Sequence, residues 1–365
     1  MLGGGQLGRM FTVAARTMGY EVVVLDPDSQ SPAGALASEH VCADYVDERA
    51  LDHLAATCAA VSTEFENVPA AALERLAQSC IVRPSGAAVA PVQNRISEKR
   101  LLDRHDIPTT PWAPVEHERD LEEAEWMVGV PAILKSARGG YDGKGQALVD
   151  DRAKLADAFA ELGRVPAILE HRVDLAREVS VIVCRAADGA IAAYPPAENV
   201  HRNGILHTST VPAGIEPALA ERAHHTALAV ARALGYVGVL GVEMFVSKSG
   251  EVLVNEIAPR PHNSGHYTLD ACATTQFEQQ VRLLCGLPPG DTRLLSPVCM
   301  VNLLGDLWGD GEPAWESVLG DAQAYLHLYG KRDARRGRKM GHLNVLAGSA
   351  PEALARAEAH YHALK

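Results

Sequence analysis

The sequence lacks any apolar run long enough to span a membrane, and its first residues lack the charged and hydrophobic regions of a secretory signal peptide. Cysteine is sparse as well: the seven cysteines form an odd set without a CxxC pair, and most lie within apolar runs. This pattern argues against a disulfide framework and is typical of reduced core thiols. We therefore expect a soluble, cytoplasmic protein without a membrane partner.

An excess of positive charge is also absent. The chain of 365 residues has a formal net charge of −12 and a pI near 5.7. Such a balance argues against a general affinity for nucleic acid or anionic membranes, so any basic site must be local. The length predicts two or three domains with a substantial core.

The segment up to about residue 93 alternates strand-like and helix-like patterns, which predicts a parallel sheet with ligand sites at the carboxyl ends of its strands. Gly3, Gly5 and Gly8 match GxGxxG at the start of a helix, and Asp26 ends the next strand. The motif has two interpretations, a dinucleotide site or a helix N-terminus that holds some other phosphate. No full strand precedes the glycines, so the first strand is either truncated or only two or three residues long.

The stretch RGGYDGKGQ, residues 138–146, combines four glycines with two cations. It follows the strand 131–137, which carries Lys135 among apolar residues. A pliable, cationic loop is a candidate cradle for phosphates, although glycine loops also serve as ordinary hairpin turns. The Pro-rich stretch 107–114 precedes this region and predicts a domain junction nearby.

Two further strands carry acids. The strand 167–173 is expected to break at Glu170, and the strand 177–184 begins with Glu178. A strand end offers backbone groups that can bind an adenine edge, and a nearby carboxylate can hold ribose hydroxyls. The alternative is an acid that faces solvent at a sheet edge.

The segment 240–260 predicts a β-hairpin. With a two-residue loop at 248–249, Glu243 faces Val254, and Glu256 lies diagonally on the same face at roughly 7–8 Å. Two such carboxylates can hold Mg²⁺ against nucleotide phosphates. A loop one residue longer would change this register, and a solvated acidic face is the alternative.

These motifs, together with NEIAPRPHNSGH (255–266) and RRGRKMGHLN (335–344), resemble the ATP-grasp ligases, and within them the N5-carboxyaminoimidazole ribonucleotide synthetase family of purine biosynthesis. The resemblance implies a three-part α/β and α+β fold. Its parts are an N-terminal parallel-sheet pre-ATP-grasp domain at 1–93, a two-lobed ATP-grasp domain at 94–288 and a small C-terminal domain at 289–365. ATP would lie between the lobes, and the family expectation is a homodimer.

The resemblance also implies residue roles. Those implied in catalysis are Lys135, Tyr141, Asp142, Lys144, Arg260 and His262. Those implied in ATP binding are Arg95, Lys135, Gly140, Tyr141, Asp142, Gly143, Lys144, Gly145, Gln146, Glu170, His171, Arg172, Val173, Glu178, His201, Asn255 and Glu256. Mg²⁺, or Mn²⁺ in its place, would be bound by Glu243 and Glu256.

The implied reaction transfers a carboxyl group from bicarbonate, activated by ATP as carboxyphosphate, to the amine of 5-aminoimidazole ribonucleotide. Residues implied in binding that substrate are Gly5, Gln6, Leu7, Glu66, Asn263, Ser264, Lys331, Arg338 and Lys339. The last three belong to a basic run that would otherwise be a solvated surface.

Two other functions stay open at this point. One is a formate-dependent glycinamide ribonucleotide transformylase, and the other is an NAD-binding oxidoreductase or nucleotide sensor. Many ATP-grasp enzymes carry Glu-x-Asn at the second metal position, whereas this chain has Glu256 and then Ala258. This departure weakens a biotin carboxylase or D-alanine ligase interpretation.

Overall fold

The computed structural model describes residues 1–140, 143–309 and 311–365. Its first part is a parallel α/β layer. The strands are β1 (Val23–Leu25), β2 (Glu39–Val41), β3 (Ala60–Val61) and β4 (Ile81–Val82), and the helices are α1 (Gln6–Thr17), α2 (Glu48–Thr57), α3 (Ala70–Leu76) and α4 (Gly86–Val89).

The expected first strand of this layer is a single residue. β1 pairs with β2 and β3 pairs with β4, both in parallel. Leu2 forms parallel bridges to both Leu25 and Thr63 and so joins the two pairs. The glycines follow Leu2 directly into α1.

The second part is a four-stranded antiparallel sheet, here called the small lobe. Helix α5 (Arg95–Arg104) leads into it, with Asn94 accepting hydrogen bonds from the first-turn amides. Its strands, in the order β5-β8-β6-β7, are β5 (Trp112–Val115), β6 (Ala132–Ser136), β7 (Gln146–Val149) and β8 (Ala167–His171), and α6 (Leu121–Val128) and α7 (Leu155–Glu161) pack on it. β8 continues through Glu170 to His171, so the expected break at Glu170 is wrong.

The third part is a nine-stranded sheet, here called the large sheet. Its strands are β9 (Leu175–Arg185), β10 (Ile191–Ala193), β11 (Ala197–Arg202), β12 (Ile205–Val211), β13 (Gly238–Ser247), β14 (Val252–Ala258), β15 (Val298–Leu304), β16 (Ala324–Leu328) and β17 (Lys339–Leu346). The associated helices are α8 (Pro217–Ala233), α9 (Thr268–Ala271), α10 (Gln276–Leu284), α11 (Glu316–Leu319) and α12 (Ala350–Ala363).

The C-terminal strands continue this sheet rather than forming one of their own. The order is β14-β13-β9-β11-β12-β15-β17-β16, with β10 on β9, and β12 pairs with β15 from Thr208↔Val301 to Val211↔Val298. The core divides accordingly: one apolar cluster lies between α8 and the β9, β13 and β14 strands, and another lies between α12 and the β15 and β17 strands.

Three of the seven cysteines are buried, and these are Cys184, Cys272 and Cys299. All seven are free thiols, but Cys42 and Cys285 are exposed, so the expected core location is correct for only part of the set. Across the described ranges, no helix combines the length and apolar character that a membrane span requires.

Candidate active site

One cavity of 880 Å³ is lined by residues from all three parts of the chain. Gln6 comes from the start of α1, Lys135 from β6, Glu243 from β13 and Lys339 from the start of β17. The cavity therefore joins the carboxyl end of the N-terminal layer to the faces of the small lobe and the large sheet.

Two carboxylates face each other across the β13–β14 hairpin. Glu243 is paired directly with Glu256, whereas the next pair is Met244 with Val254, so Asn255 is an extra residue in the ladder. The hairpin loop is one residue longer than the sequence predicted, because the amide of Ser247 bonds the carbonyl of Glu251. The predicted register is therefore wrong.

The bulge at Asn255 adds a second extra residue, which restores the parity of the two strands. Glu243 and Glu256 consequently share a face and line the cavity, as directly opposed rather than diagonal neighbours. Direct partners are closer than diagonal ones, at roughly 4.5–5.5 Å between Cβ atoms. The same-face prediction is thus correct for a different reason.

Each member of this pair has a cationic or imidazole neighbour. Arg95 Nη2 lies 3.1 Å from Glu256 Oε2, and His262 Nε2 lies 3.0 Å from Glu243 Oε1. Burial would raise the pKa of Glu243, but His262 outweighs it and lowers the pKa to about 2. Glu243 is therefore an anion at neutral pH.

Buried polar groups fix the position of His262 through hydrogen bonds. Its Nδ1 lies 2.8 Å from Ser264 Oγ, which in turn accepts a 2.6 Å hydrogen bond from Ser180. The Gln276 side chain bonds both the amide and the carbonyl of His262. Ser264 is fully buried, lies outside the cavity lining and orients His262, and its contact with substrate stays a prediction.

Lys135 belongs to a buried ionic triad with Glu170 and Lys99. Lys135 Nζ lies 2.5 Å from Glu170 Oε2, and Lys99 Nζ lies 2.5 Å from Glu170 Oε1. Lys135 also donates to Asn255 Oδ1 at 3.3 Å and lines the cavity. Burial alone would raise the pKa of Glu170, but the two ammonium groups hold it well below its usual range.

The glycine loop connects β6 to β7 at the cavity. Gly143 and Gly145 have positive φ angles of 77° and 70°, which favour glycine. A Cβ on Gly143 would lie 3.2 Å from the Cα of Gly204, in the β11–β12 turn, so the loop reaches the large sheet. Tyr141 and Asp142, both predicted site residues, lie outside the described residues.

Another carboxylate of the cavity lining, Glu178, lies beside an imidazole. Glu178 Oε2 lies 2.5 Å from His201 Nδ1, and both side chains line the cavity. Arg172 and Val173 line it too, at the end of β8. This wall of the cavity therefore presents an imidazole and a carboxylate beside the end of a strand.

The N-terminus of α1 already holds a carboxylate from the same chain. The amides of Gly5 and Gly8 donate to the two oxygens of Glu64, and a Cβ on Gly3 would lie 2.5 Å from Glu64 Cγ. The glycines therefore make room for Glu64. Of the first-turn amides, those of Gln6 and Leu7 have no hydrogen-bond partner among the described residues.

Asp26 is also engaged internally. Its side chain accepts hydrogen bonds from the Gly4 amide at 2.6 Å and the Tyr45 hydroxyl at 2.8 Å. In a dinucleotide site this acid would hold the ribose, and the position of Glu64 would hold a phosphate. The geometry therefore disfavours the dinucleotide interpretation.

The cavity end near α1 contains a second ion pair and an amide. Glu66 and Arg260 form an ion pair, and burial of Glu66 is outweighed by Arg260, so the pKa of Glu66 is lowered. Both side-chain polar atoms of Asn263 are buried without a hydrogen-bond partner in the structure. All three residues line the cavity.

The basic segment, residues 331–339, lines the cavity at one residue. Lys339 lines it, and Lys331 donates from Nζ to the Lys339 carbonyl at 2.7 Å. Arg338 donates to the Asp333 carbonyl at 3.0 Å and is not part of the lining.

Comparison with known proteins agrees with this arrangement. Three family models match successive stretches: the ribonucleotide synthetase preATP-grasp domain at 1–93, the ATP-grasp domain at 100–277 and the phosphoribosylaminoimidazole carboxylase C-terminal domain at 298–356. An N5-carboxyaminoimidazole ribonucleotide synthase of Brucella melitensis is 47% identical over 345 residues, which cover 94% of each chain.

The chain belongs to the N5-carboxyaminoimidazole ribonucleotide synthase family.

Solved structures of this family have the same fold. The synthetase from Thermus thermophilus superposes with a TM-score of 0.92 at 41% identity and covers 100% of this chain and 97% of its own. An Aspergillus clavatus synthase, solved with ADP and 5-aminoimidazole ribonucleotide, gives 0.91 at 32% identity, with 100% and 97% covered. The predicted three-part ATP-grasp fold is confirmed, and this family member is an ATP-grasp ligase.

The structure brings most of the predicted site residues of this synthase family member to one cavity. Those that line it are Gln6, Leu7, Glu66, Arg95, Lys135, Gly143, Lys144, Gln146, Arg172, Val173, Glu178, His201, Glu243, Asn255, Glu256, Arg260, His262, Asn263 and Lys339. Those outside the lining are Gly5, Gly140, Gly145, Glu170, His171, Ser264, Lys331 and Arg338.

Some of these outer residues act in other ways. The side chain of Glu170 lies behind Lys135, so a contact of its backbone with adenine stays a prediction. The Gly5 amide donates to Glu64, and a contact of Gly5 with the substrate phosphate stays a prediction.

Sequence reasoning missed Glu64, Lys99 and Gln276. Glu64 lies two residues before Glu66 in the same motif, and Lys99 lies one helical turn after Arg95, which were the available signals. Gln276 gives no such signal, because its partner His262 is in a separate loop.

Proposed function

We propose that this protein catalyses the ATP- and bicarbonate-dependent carboxylation of 5-aminoimidazole ribonucleotide to N5-carboxyaminoimidazole ribonucleotide in purine biosynthesis. The observation that carries the proposal is that one cavity joins the opposed carboxylates Glu243 and Glu256 to Gln6 and Leu7, whose amides have no hydrogen-bond partner among the described residues. A phosphoryl-transfer site and a site for a phosphorylated acceptor would thus be continuous.

ATP lies between the small lobe and the large sheet in this proposal. Arg95 and Lys135 contact its phosphates, and the glycine loop with Lys144 covers them. Glu178 binds the ribose, with His201 holding the carboxylate in position. The strand end at Arg172 and Val173 contacts adenine through the backbone.

Mg²⁺ fits the carboxylate oxygens of Glu243 and Glu256, because it prefers oxygen donors and is usually held by one or two carboxylates plus phosphate oxygens. When bound, it would neutralise charge on the transferred phosphoryl group. Arg95, beside Glu256, would then be free to approach the phosphates.

A bicarbonate oxygen attacks the γ-phosphorus, and the bond to the β-phosphate oxygen breaks to release ADP and form carboxyphosphate. Arg260 and His262 line the cavity beside the carboxylate pair, where they orient bicarbonate and stabilise developing negative charge. The carboxyl carbon then bonds to the acceptor amine, phosphate leaves, and the amine loses a proton.

Carboxyphosphate is labile in water, so this chemistry needs a closed site. The glycine loop already approaches the β11–β12 turn at Gly204, where closure would exclude water. Glu66 faces the amine end of the acceptor. The acceptor phosphate lies on the amides of Gln6 and Leu7, with the basic segment Lys331, Arg338 and Lys339 around it.

The decisive experiment measures phosphate release from ATP and bicarbonate with and without 5-aminoimidazole ribonucleotide. We expect strong stimulation by that acceptor and formation of the carboxylated product. A matched reaction with formate and glycinamide ribonucleotide is expected to give none. Stimulation only in the second reaction would overturn the proposal.

Three further features remain proposals. We propose domain boundaries at 93 and 288; the first precedes α5, whereas the large sheet continues across the second. A homodimer and a cytoplasmic location are expected from the family resemblance and the free thiols. Light scattering of the purified protein tests the homodimer.

A further inference from the structure

Lys99 is a buried charge that the proposed mechanism does not use. Only 1% of its side chain is exposed, and it does not line the cavity. It projects from α5 one turn after Arg95, which does line it. Burying a lysine is costly unless its charge is compensated, so its partners show what it does there.

Those partners join Lys99 to the cavity through one carboxylate. Lys99 Nζ lies 2.5 Å from Glu170 Oε1, and the other oxygen of Glu170 lies 2.5 Å from Lys135 Nζ. Thr110 Oγ1 donates to Glu170 Oε1 at 2.8 Å. Lys99 also donates to Thr109 Oγ1 at 2.5 Å.

The formal charges of this triad explain why two lysines share one acid. Glu170 alone would neutralise Lys135, the lysine that faces the cavity. Adding Lys99 leaves the buried group with one net positive charge, and Lys135 is its only member in the cavity lining. In a water-poor environment such a charge acts strongly on an anionic ligand.

We propose that Lys99 is a positioning residue that balances the charge of Glu170, so that Lys135 both is held in place and presents a net positive charge to nucleotide phosphates. This inference rests on the proposed function, since it takes ATP as the ligand of the cavity. Lys99 acts on the nucleotide through Glu170 and does not touch it.

The test compares the binding of ATP with that of adenosine, which has no phosphate, by calorimetry. In Lys99→Met we expect the Kd for ATP to rise at least about tenfold, equivalent to ~1.4 kcal/mol. The Kd for adenosine should change less than about twofold. Lys154→Met, which removes an exposed lysine from the small lobe, is the matched control and should change neither.

The double variant Lys99→Met with Glu170→Gln separates charge balance from structure. Because it removes both compensating charges, Lys135 keeps a net positive charge, and the ATP affinity should return to within about threefold of the parent. A Lys99 that only supports the fold predicts equal weakening for ATP and adenosine in Lys99→Met and no recovery in the double variant. Either result would overturn the proposal.

If Lys99→Met does not fold, the double variant still decides, because a tenfold or greater loss of ATP affinity in it contradicts charge balance. The parent separates this inference from the proposed function. A parent that binds ATP with variants that behave like it removes the inference alone, whereas a parent that binds no ATP removes both.

Discussion

Glu256→Gln should abolish most turnover while leaving the fold intact. The substitution keeps the shape of the side chain but removes the charge from one of two opposed carboxylates. Glu256 is 46% exposed and has Arg95 as its ion-pair partner at 3.1 Å. Because solvent screens the half-exposed carboxylate, although Arg95 is only 17% exposed, the free energy of unfolding should fall by about 1 kcal/mol.

The effect on the reaction should be much larger. A metal that neutralises the phosphoryl group stabilises the transition state by several kcal/mol. Losing about 3 kcal/mol of this lowers kcat/KM by more than about 100-fold. The assay is phosphate release under saturating bicarbonate and acceptor, titrated with Mg²⁺, beside urea unfolding of the same preparation.

Glu251→Gln is the matched control, because it neutralises an exposed carboxylate on the turn of the same hairpin. It should leave turnover and Mg²⁺ dependence as in the parent. Turnover in Glu256→Gln within about threefold of the parent, at an unchanged Mg²⁺ requirement, would refute the assignment of Glu256 as a ligand.

Three other predictions concern the loop, the basic segment and the buried histidines. Gly143→Ala and Gly163→Ala both place a Cβ at a positive φ, so each should lower the free energy of unfolding by ~1–2 kcal/mol. Only Gly143→Ala should also lower kcat, because only its Cβ crowds the β11–β12 turn. Equal kcat values in the two variants would contradict this. Arg338→Ala should raise the KM for 5-aminoimidazole ribonucleotide about tenfold with little change in the KM for ATP. The control is Arg336→Ala, which removes a side chain that is 94% exposed and should change neither KM. Equal shifts in both variants would remove Arg338 from the site. Burial and its neighbouring histidines hold the pKa of His342 well below 6.5, so its contribution to stability is present above pH 6.5 and is lost as the pH falls. The free energy of unfolding should therefore fall less steeply with decreasing pH in His342→Gln than in the parent, by up to ~1.4 kcal/mol per pH unit. Identical slopes of the two proteins in urea unfolding would exclude this.

The parts of the fold that depend on local pattern were predictable from the sequence. The helix that begins near the first glycines, the strand that carries Lys135 and the β13–β14 hairpin all occur where the alternation of apolar residues put them. The family motifs, which extend over most of the chain, also predicted the three-part architecture. Such signals need only neighbours in the chain.

The parts that depend on register were not predictable. Alternation assigned Glu243 and Glu256 to one face, but a longer loop and the bulge at Asn255 together produced that result. Each change alone would have reversed it, because one extra residue moves a strand's side chains to the other face. Alternation does not count such extra residues.

Contacts between distant segments were the other gap. GxGxxG is compatible with any anion at the start of α1, and nothing local shows that Glu64, about sixty residues later, supplies it. The pairing of Lys99 with Glu170 likewise joins two separate segments. Both acids were visible in the sequence, but their partners were determined by tertiary packing.

The continuity of the large sheet has a mechanical consequence. Backbone hydrogen bonds run without a break from β14, which carries Glu256, across β12 and β15 to β17, which begins at Lys339. The small lobe has its own sheet, and the segment that leads into it meets the large sheet at the backbone bridge between Thr109 and Val254. If the small lobe closes on a nucleotide as proposed, we expect Glu243, Glu256 and the basic segment to keep fixed positions relative to one another. The small lobe, which carries Lys135 and the glycine loop, would then be the part that moves.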